Sequence, residues 1–262
     1  MDIACVDGEL VSLSEARIPV NDDGLLRGDG VFEVIRLYRG VPFALPTHLE
    51  RMRHSAHNLR LPLDIAAVGS DLEMLLAAAP ATDGLLRTLA TRGGHRIALI
   101  EPLPPLPETL QLGYVTFAPV RVLDGVKSLS YAANMLASRL ARERGFDEAL
   151  LVTPHGRVLE LPTASFFWVA GGRVRTPPLS DHILESITRR LAIQVADASE
   201  AVTTQDDLLS AEEAFAVSSV VEVIAVQRIE QLQLPAQGKL TARVAAGVRA
   251  RIEAELSPTP HR

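Results

Sequence analysis

Of the 26 Lys and Arg residues in this 262-residue chain only two are lysine, Lys127 and Lys239. Lys127 lies in Asp124-Gly-Val-Lys-Ser-Leu-Ser-Tyr131. Arg never loses its proton in a protein, whereas a partly desolvated Lys becomes a neutral amine that attacks a carbonyl to form a Schiff base. In a chain that uses Arg almost everywhere else, Lys127 is the first candidate nucleophile. Taken alone, it reads more readily as a solvated surface amine.

Schiff-base chemistry with pyridoxal phosphate needs three further parts: a carboxylate for the pyridine nitrogen, a phosphate cup and a substrate-recognition site. Glu160 ends the apolar run Val158-Leu-Glu160 and is followed by Leu161-Pro162, a poor place to leave a charge without a partner. Its alternative is an exposed carboxylate at a strand end. Ser186-Ile187-Thr188 opens a helix, where free N–H groups, a hydroxyl and the positive end of the helix dipole suit a phosphate; a serine there also serves simply as a cap. Ser218-Ser219 makes a second hydroxyl-rich turn, and Arg51 in His48-Leu-Glu-Arg51 adds a positive charge from the first half. Substrate carboxylates call for Arg or clustered donors. Arg27, just before Gly28-Asp-Gly30, and the loop Arg92-Gly-Gly-His95-Arg96 are candidates, the loop's alternative being a solvated turn.

These residues need elements to position them. Val31–Tyr38 reads as a strand entering a hairpin at Arg39-Gly40. A helix is expected over Thr47–Leu59, with Thr47 as N-cap and Glu50 completing a capping box, and another over Asp71–Ala79. Strands are expected at Leu86–Thr91 and Leu112–Phe117, separated by the extended segment Pro102-Leu-Pro-Pro-Leu-Pro107. A helix over Tyr131–Arg144 would bury a stripe of Ala132, Leu136 and Leu140 and stop at Gly145. A meander of strands follows at Glu148–Thr153, Val158–Glu160, Ser165–Ala170 and Val174–Thr176. A helix capped by Ser186, strands at Glu213–Val217 and Val220–Val226, a helix over Leu240–Leu256 and a frayed tail from Ser257 complete the reading.

At this length, with 47% hydrophobic residues, two domains are expected, residues 1–119 and 120–262. The fold class is α+β: a small N-terminal domain of sheet plus helices and a larger, β-rich C-terminal domain with flanking helices, the cofactor between them. A net charge of -6 without a dense basic run argues against nucleic acid or an anionic membrane as partner. The start has no basic n-region followed by an apolar stretch, and the single cysteine, Cys5, suits a reducing cytoplasm. No metal site is expected.

The ordered motifs resemble the class IV aminotransferase family, the fold-type IV pyridoxal-phosphate enzymes that include D-amino-acid and branched-chain aminotransferases and 4-amino-4-deoxychorismate lyases. The resemblance covers nearly the whole chain. It is carried by Gly28-Asp-Gly-Val-Phe-Glu33, His48-Leu-Glu-Arg51, Lys127-Ser-Leu-Ser-Tyr131 with Asn134, Asp147–Val152 with Glu160 and Phe166-Phe167, and Thr176-Pro-Pro-Leu179 with Ile187-Thr-Arg189. It implies that Lys127 is the Schiff-base lysine and general base, and that Glu160 pairs with the ring nitrogen. It further implies that Arg51, Ile187, Thr188, Ser218 and Ser219 hold the phosphate, Leu184 packs on the ring and Tyr131 reaches its phenolic oxygen. Arg27, Phe32, Arg92, His95 and Arg96 would contact substrate, the loop reaching a neighbouring subunit of a homodimer. The expected function is amino-group transfer between α-amino acids and α-keto acids. Lyase cleavage of aminodeoxychorismate is the alternative, and a non-catalytic binding protein is a third reading. Two positions depart from the family pattern: Ser165 stands where Asn is usual, and Ser186 where Gly is usual.

Overall fold

The computed structural model describes residues 2–257. The chain divides into two compact units. The first runs to Pro104, resumes over Gly125–Tyr131 and takes up the chain again from Glu255; the second comprises Pro105–Asp124 and Ala132–Ala254. Lys127 therefore belongs to the first unit, although a single cut at 119/120 puts it in the second. Within the tail expected from Ser257 onward, positions 258–262 lie outside the described residues.

In the first unit the elements are β1 (Ile3–Val6), β2 (Glu9–Ser12), α1 (Asp23–Arg27), β3 (Gly30–Tyr38), β4 (Val41–Pro42), α2 (Leu45–Asn58), α3 (Ile65–Ala78), β5 (Gly84–Thr91) and β6 (Arg96–Glu101). The six strands form one antiparallel sheet in the order β2-β1-β6-β5-β3-β4. Side chains alternate across a strand, so Val31, Ile35 and Leu37 of β3 face one way. They join Met52 and Ala56 of α2 and Val68, Leu72 and Leu75 of α3 in one apolar core. Strands β1, β2 and β6 were not expected. The first two are only four residues long, and β6 follows the loop read as a cation cluster.

Two helix starts differ from expectation. Helix α2 begins at Leu45, not Thr47: Ala44 takes a left-handed conformation with φ 54°, its N–H donates to Glu255, and Pro46 sits in the first turn, where its missing donor is harmless. Glu50 pairs with Arg53 on the surface instead of closing a capping box. Helix α3 starts at Ile65, six residues before Asp71, because Asp64 accepts from the N–H groups of Ala66 and Ala67.

The second unit holds β7 (Thr109–Thr116), α4 (Ala132–Glu143), β8 (Glu148–Val152), β9 (Ser165–Ala170), β10 (Arg173–Thr176), α5 (Ile187–Ala196), β11 (Ser199–Glu200), β12 (Glu213–Ser218), β13 (Glu222–Ile229), β14 (Leu232–Gln233) and α6 (Lys239–Leu256). The sheet order is β11-β10-β9-β12-β13-β7-β8, with β14 on β13. Strands β7 and β8 run parallel, so the chain must cross over between them, and Lys127 and α4 lie on that crossover. Val158–Glu160 forms no full strand: Val158 bridges Val152, and Leu161 bridges Ala164 across the turn Pro162-Thr163. Helix α4 buries Ala137, Ser138 and Ala141, whereas Leu136 and Leu140 are 50% and 41% exposed, opposite to the expected stripe. The small side chains let the helix lie close against β7 and β8. Among the described residues no helix is long and apolar enough to cross a membrane.

Removing the cap in Asp64→Ala is expected to lower stability by about 1 kcal/mol, read from the midpoint of urea unfolding.

Candidate functional site

The first unit places Lys127 by its backbone. The carbonyl of Lys127 accepts from Phe32 N at 3.1 Å, Leu129 N donates to Gly30 O at 2.9 Å, and Lys127 N donates to Ser55 Oγ of α2 at 3.1 Å. Strand β4 pairs with β3 only at Leu37 and Tyr38, so this segment occupies the same edge near the start of β3. The glycines of Gly28-Asp-Gly30 make room for it. A Cβ on Gly30 would stand 2.4 Å from Ala90 O and 2.5 Å from Leu129 Cδ1, and Gly28 has φ +67° with Ser130 Oγ 2.9 Å from its Cβ position. The ammonium of Lys127 lies 4.2 Å above the Phe32 ring and 5.7 Å from the Tyr131 ring. The two rings meet edge to face at 5.3 Å. Lys127, Phe32 and Tyr131 are thus brought together.

Arg51 is held on the other face of β3. Glu33, one residue after Phe32, is wholly buried among the helices. Its carboxylate accepts from Arg51 Nε at 2.7 Å and Arg51 Nη2 at 2.6 Å, a bidentate pair, and from His48 Nδ1 at 2.8 Å. Burial pushes the Glu33 carboxyl up, but the hydrogen bonds and charge of Arg51, then those of His48, outweigh it and hold the group at about 2. Burial lowers His48 below the ordinary histidine value, so at neutral pH its ring is uncharged and donates through Nδ1–H.

The loop cations each meet an acid of the same unit. Arg92 donates to both oxygens of Asp29 at 2.9 and 3.1 Å and to the carbonyls of Leu59 and Arg60. His95 bonds Asp7 at 2.7 Å, and Arg96 bonds Asp71 at 2.8 Å. Arg27 is exposed on α1 and pairs with Asp23 one turn earlier. Two further cations, Arg36 and Arg87, lie on the same sheet face as Phe32, because Val34 pairs with Arg87 and side chains alternate. Arg87 bonds Glu101 at 2.8 Å, both about one-third exposed. Sequence reasoning passed over Arg87, since only the β3–β5 register reveals which face it takes.

In the second unit Glu160 sits on a β-bulge. Leu159 N donates to Leu151 O while Leu151 N donates to Glu160 O, so two residues oppose one. The extra residue lets Leu159 reach the α4-side core with Leu151 and Ile183, and turns Glu160 toward the main chain of Leu184, whose N–H donates to Oε1 at 3.0 Å. Glu160 and Leu184 are therefore neighbours. Ser186 caps α5, its hydroxyl accepting from Arg189 N at 3.2 Å. That leaves the N–H groups of Ile187 and Thr188, which have no acceptor within the helix. Helix α5 packs on β12, at whose end Ser218 Oγ accepts from Val220 N and Val221 N, with Ser219 half-buried beside it. Asn134 donates to Pro162 O at 3.0 Å. Ser165 Oγ is buried and makes no hydrogen bond among the described residues.

Glu33→Gln should destabilise the chain by about 3 kcal/mol at pH 7 by breaking a buried pair. Because the Glu33 carboxyl is depressed from 4.5 to about 2 and His48 lies below 6.5, both contribute stability that is present above those ordinary values. Urea midpoints should fall first as the pH drops below 6.5, and more steeply between 4.5 and 2; the variant should lose the steeper limb. Ser165→Ala, which removes a hydroxyl without a protein partner, should shift stability by less than about 0.5 kcal/mol or raise it, in the same assay.

The family described as Amino-transferase class IV matches residues 30–229. A putative branched-chain-amino-acid aminotransferase of Methanocaldococcus jannaschii is 33% identical, covering 86% of this chain and 87% of its own length. A D-alanine aminotransferase of Bacillus licheniformis is 30% identical over 97% and 98%, and an aminodeoxychorismate lyase of Bacillus subtilis 30% over 88% of each. Among solved structures, a branched-chain aminotransferase of Thermoproteus uzoniensis with norvaline superposes with a TM-score of 0.89 at 28% identity, covering 97% of this chain and 95% of that one. Gly30 beside the Lys127 segment, the bulge under Glu160 and the capped start of α5 fall inside the matched span, and the chain belongs to the class IV aminotransferase family.

Proposed function

We propose that the chain is an aminotransferase that moves an amino group between α-amino acids, of D-amino-acid or branched-chain type, and α-keto acids, with pyridoxal phosphate as cofactor. The observation that carries this reading is Lys127, a primary amine fixed through its own N–H and carbonyl and held over Phe32. Each unit by itself supplies groups of the kind this cofactor needs: the first an amine, Lys127, and the second a carboxylate whose direction is set by Leu184 N–H and a capped helix start with two N–H groups free of the helix's own carbonyls. Pyridoxal phosphate, when bound, supplies an aldehyde that condenses with amines and a ring that withdraws electrons.

In this reading Lys127 Nζ would hold the cofactor through its aldehyde and would serve as the base that carries the substrate's α-proton. Glu160 would be the carboxylate partner of the ring nitrogen. Ile187, Thr188, Ser218, Ser219 and Arg51 hold the phosphate, Leu184 packs on the ring and Tyr131 donates to its phenolic oxygen. Phe32 borders the substrate. Arg36 and Arg87, the latter paired with Glu101, supply charge for substrate carboxylates on the Lys127 side of the sheet, together with Arg27, Arg92, His95 and Arg96. The enzyme works as a cytoplasmic homodimer.

The second reading, a lyase that releases pyruvate and 4-aminobenzoate from 4-amino-4-deoxychorismate, is favoured by the Bacillus subtilis relative. A binding protein without turnover would need no proton-carrying lysine. Three measurements separate these readings. Borohydride should fix the cofactor's mass to the Lys127 peptide, and Lys127→Ala should lose that adduct and roughly 10²–10⁴-fold or more of turnover. A panel of D- and L-amino acids with aminodeoxychorismate alongside should show loss of the cofactor's absorbance with amino acids. Reaction with aminodeoxychorismate alone would sink the aminotransferase reading, and full turnover by Lys127→Ala would sink the role given to Lys127.

A further inference from the structure

We propose that Arg189 is a positioning residue that fixes the first turn of α5 as an anion site; this rests on reading Ile187 and Thr188 as part of the phosphate cup. Arg189 is the third residue of α5 and is 3% exposed. Its main chain is tied to the cap through Ser186 Oγ. Its side chain is tied elsewhere: Nη2 donates to Pro177 O at 2.7 Å and to Glu200 Oε1 at 2.6 Å. Pro177 directly follows β10, and Glu200 is on β11, which pairs parallel with β10 at Thr176. One guanidinium therefore fastens the start of α5 to the ends of two adjacent strands.

Packing alone does not call for this residue. A buried guanidinium is expensive to desolvate, and an apolar side chain of similar volume often serves a core equally well. The charge is also incompletely matched. Glu200 has 44% of its side chain in solvent, where its field is screened, and Arg189 Nε is buried without a hydrogen bond among the described residues. The positive charge that fastens the start of α5 is thus offset only in part, and it has the same sign as the helix start. A fixed first turn presents the Ile187 and Thr188 N–H groups in one orientation, so the ordering of that turn is complete before an anion arrives.

The test titrates the purified apo-protein with pyridoxal phosphate and, separately, with pyridoxal, which lacks the phosphate, following cofactor absorbance and thermal midpoint. Wild type should bind pyridoxal phosphate far more tightly. Arg189→Met should weaken pyridoxal phosphate by roughly tenfold or more, the size of one charge-assisted hydrogen bond, and change pyridoxal by less than about twofold. Arg189→Lys should recover part of the loss, since it keeps the charge but not the fork. A purely structural residue would lower the thermal midpoint and weaken both ligands alike, and that result overturns the proposal. If Arg189→Met fails to fold, Arg189→Lys and Glu200→Gln carry the test, and phosphate-independent losses in both overturn it. Should wild type itself bind the two ligands equally, the cup reading fails, and the role of Arg189 with it.

Discussion

The structure of the first unit depends on a carboxylate placed where water cannot reach it. The alternation of β3 sends Val31, Ile35 and Leu37 into the core, and Glu33, at the same parity, must go with them. An ionised carboxylate there is tolerable only with charge and donors around it. Arg51 and His48 provide both, and because they lie three residues apart on α2 they select one rotation of that helix about its axis. The same rotation brings Met52 and Ala56 into the core and Ser55 inward, and it is Ser55 Oγ that accepts the Lys127 N–H. The amine's backbone position is thus linked, through the phase of one helix, to a charge on the opposite face of the strand.

The second unit solves its positioning problem without a central ion pair. Glu160 is aimed by a bulge and met by a main-chain N–H, and the start of α5 presents main-chain donors whose number is set by the cap. Ser186 takes the N–H of Arg189 and leaves those of Ile187 and Thr188, the two nearest the helix start. A serine at that position therefore keeps the donors a phosphate would use and removes the one it would not. Backbone donors reorganise little when an anion arrives, which is why they suit a group that must be held in one orientation.

How much of this was legible depended on the range of the interactions. Strand β9 and helix α5 were readable to the residue, because the turn at Gly171-Gly172 and the cap at Ser186 are local signals. Lys127, Glu160 and Arg51 stood out by motif order. The start of α2 was not readable, since Glu255, more than two hundred residues away, accepts from Ala44. The acids that engage Arg92, His95 and Arg96 are 63, 88 and 25 residues distant, so a loop that reads as two cations and a histidine has an acid beside each of the three. Helix α4 misled for a different reason: hydrophobic periodicity favours leucines, whereas close packing against β7 and β8 selects Ala137, Ser138 and Ala141.

The scarcity of lysine acquires a physical meaning from these placements. Three ion pairs of the first unit use Arg: Arg51 on Glu33, Arg92 on Asp29 of the glycine motif, and Arg96 on Asp71. In each the guanidinium donates from more than one nitrogen or sits partly buried, and its charge persists at any pH the fold survives. A lysine in any of these places would be a second amine able to lose its proton when desolvated and to compete for an aldehyde. With Arg in these pairs, side-chain amine chemistry is confined to Lys127 and to Lys239 at the start of α6. Of these two, only Lys127 is held with aromatic rings beneath its ammonium and its backbone clamped on both sides. In the proposed function, selectivity for one nucleophile thus rests partly on what the other cations are unable to do.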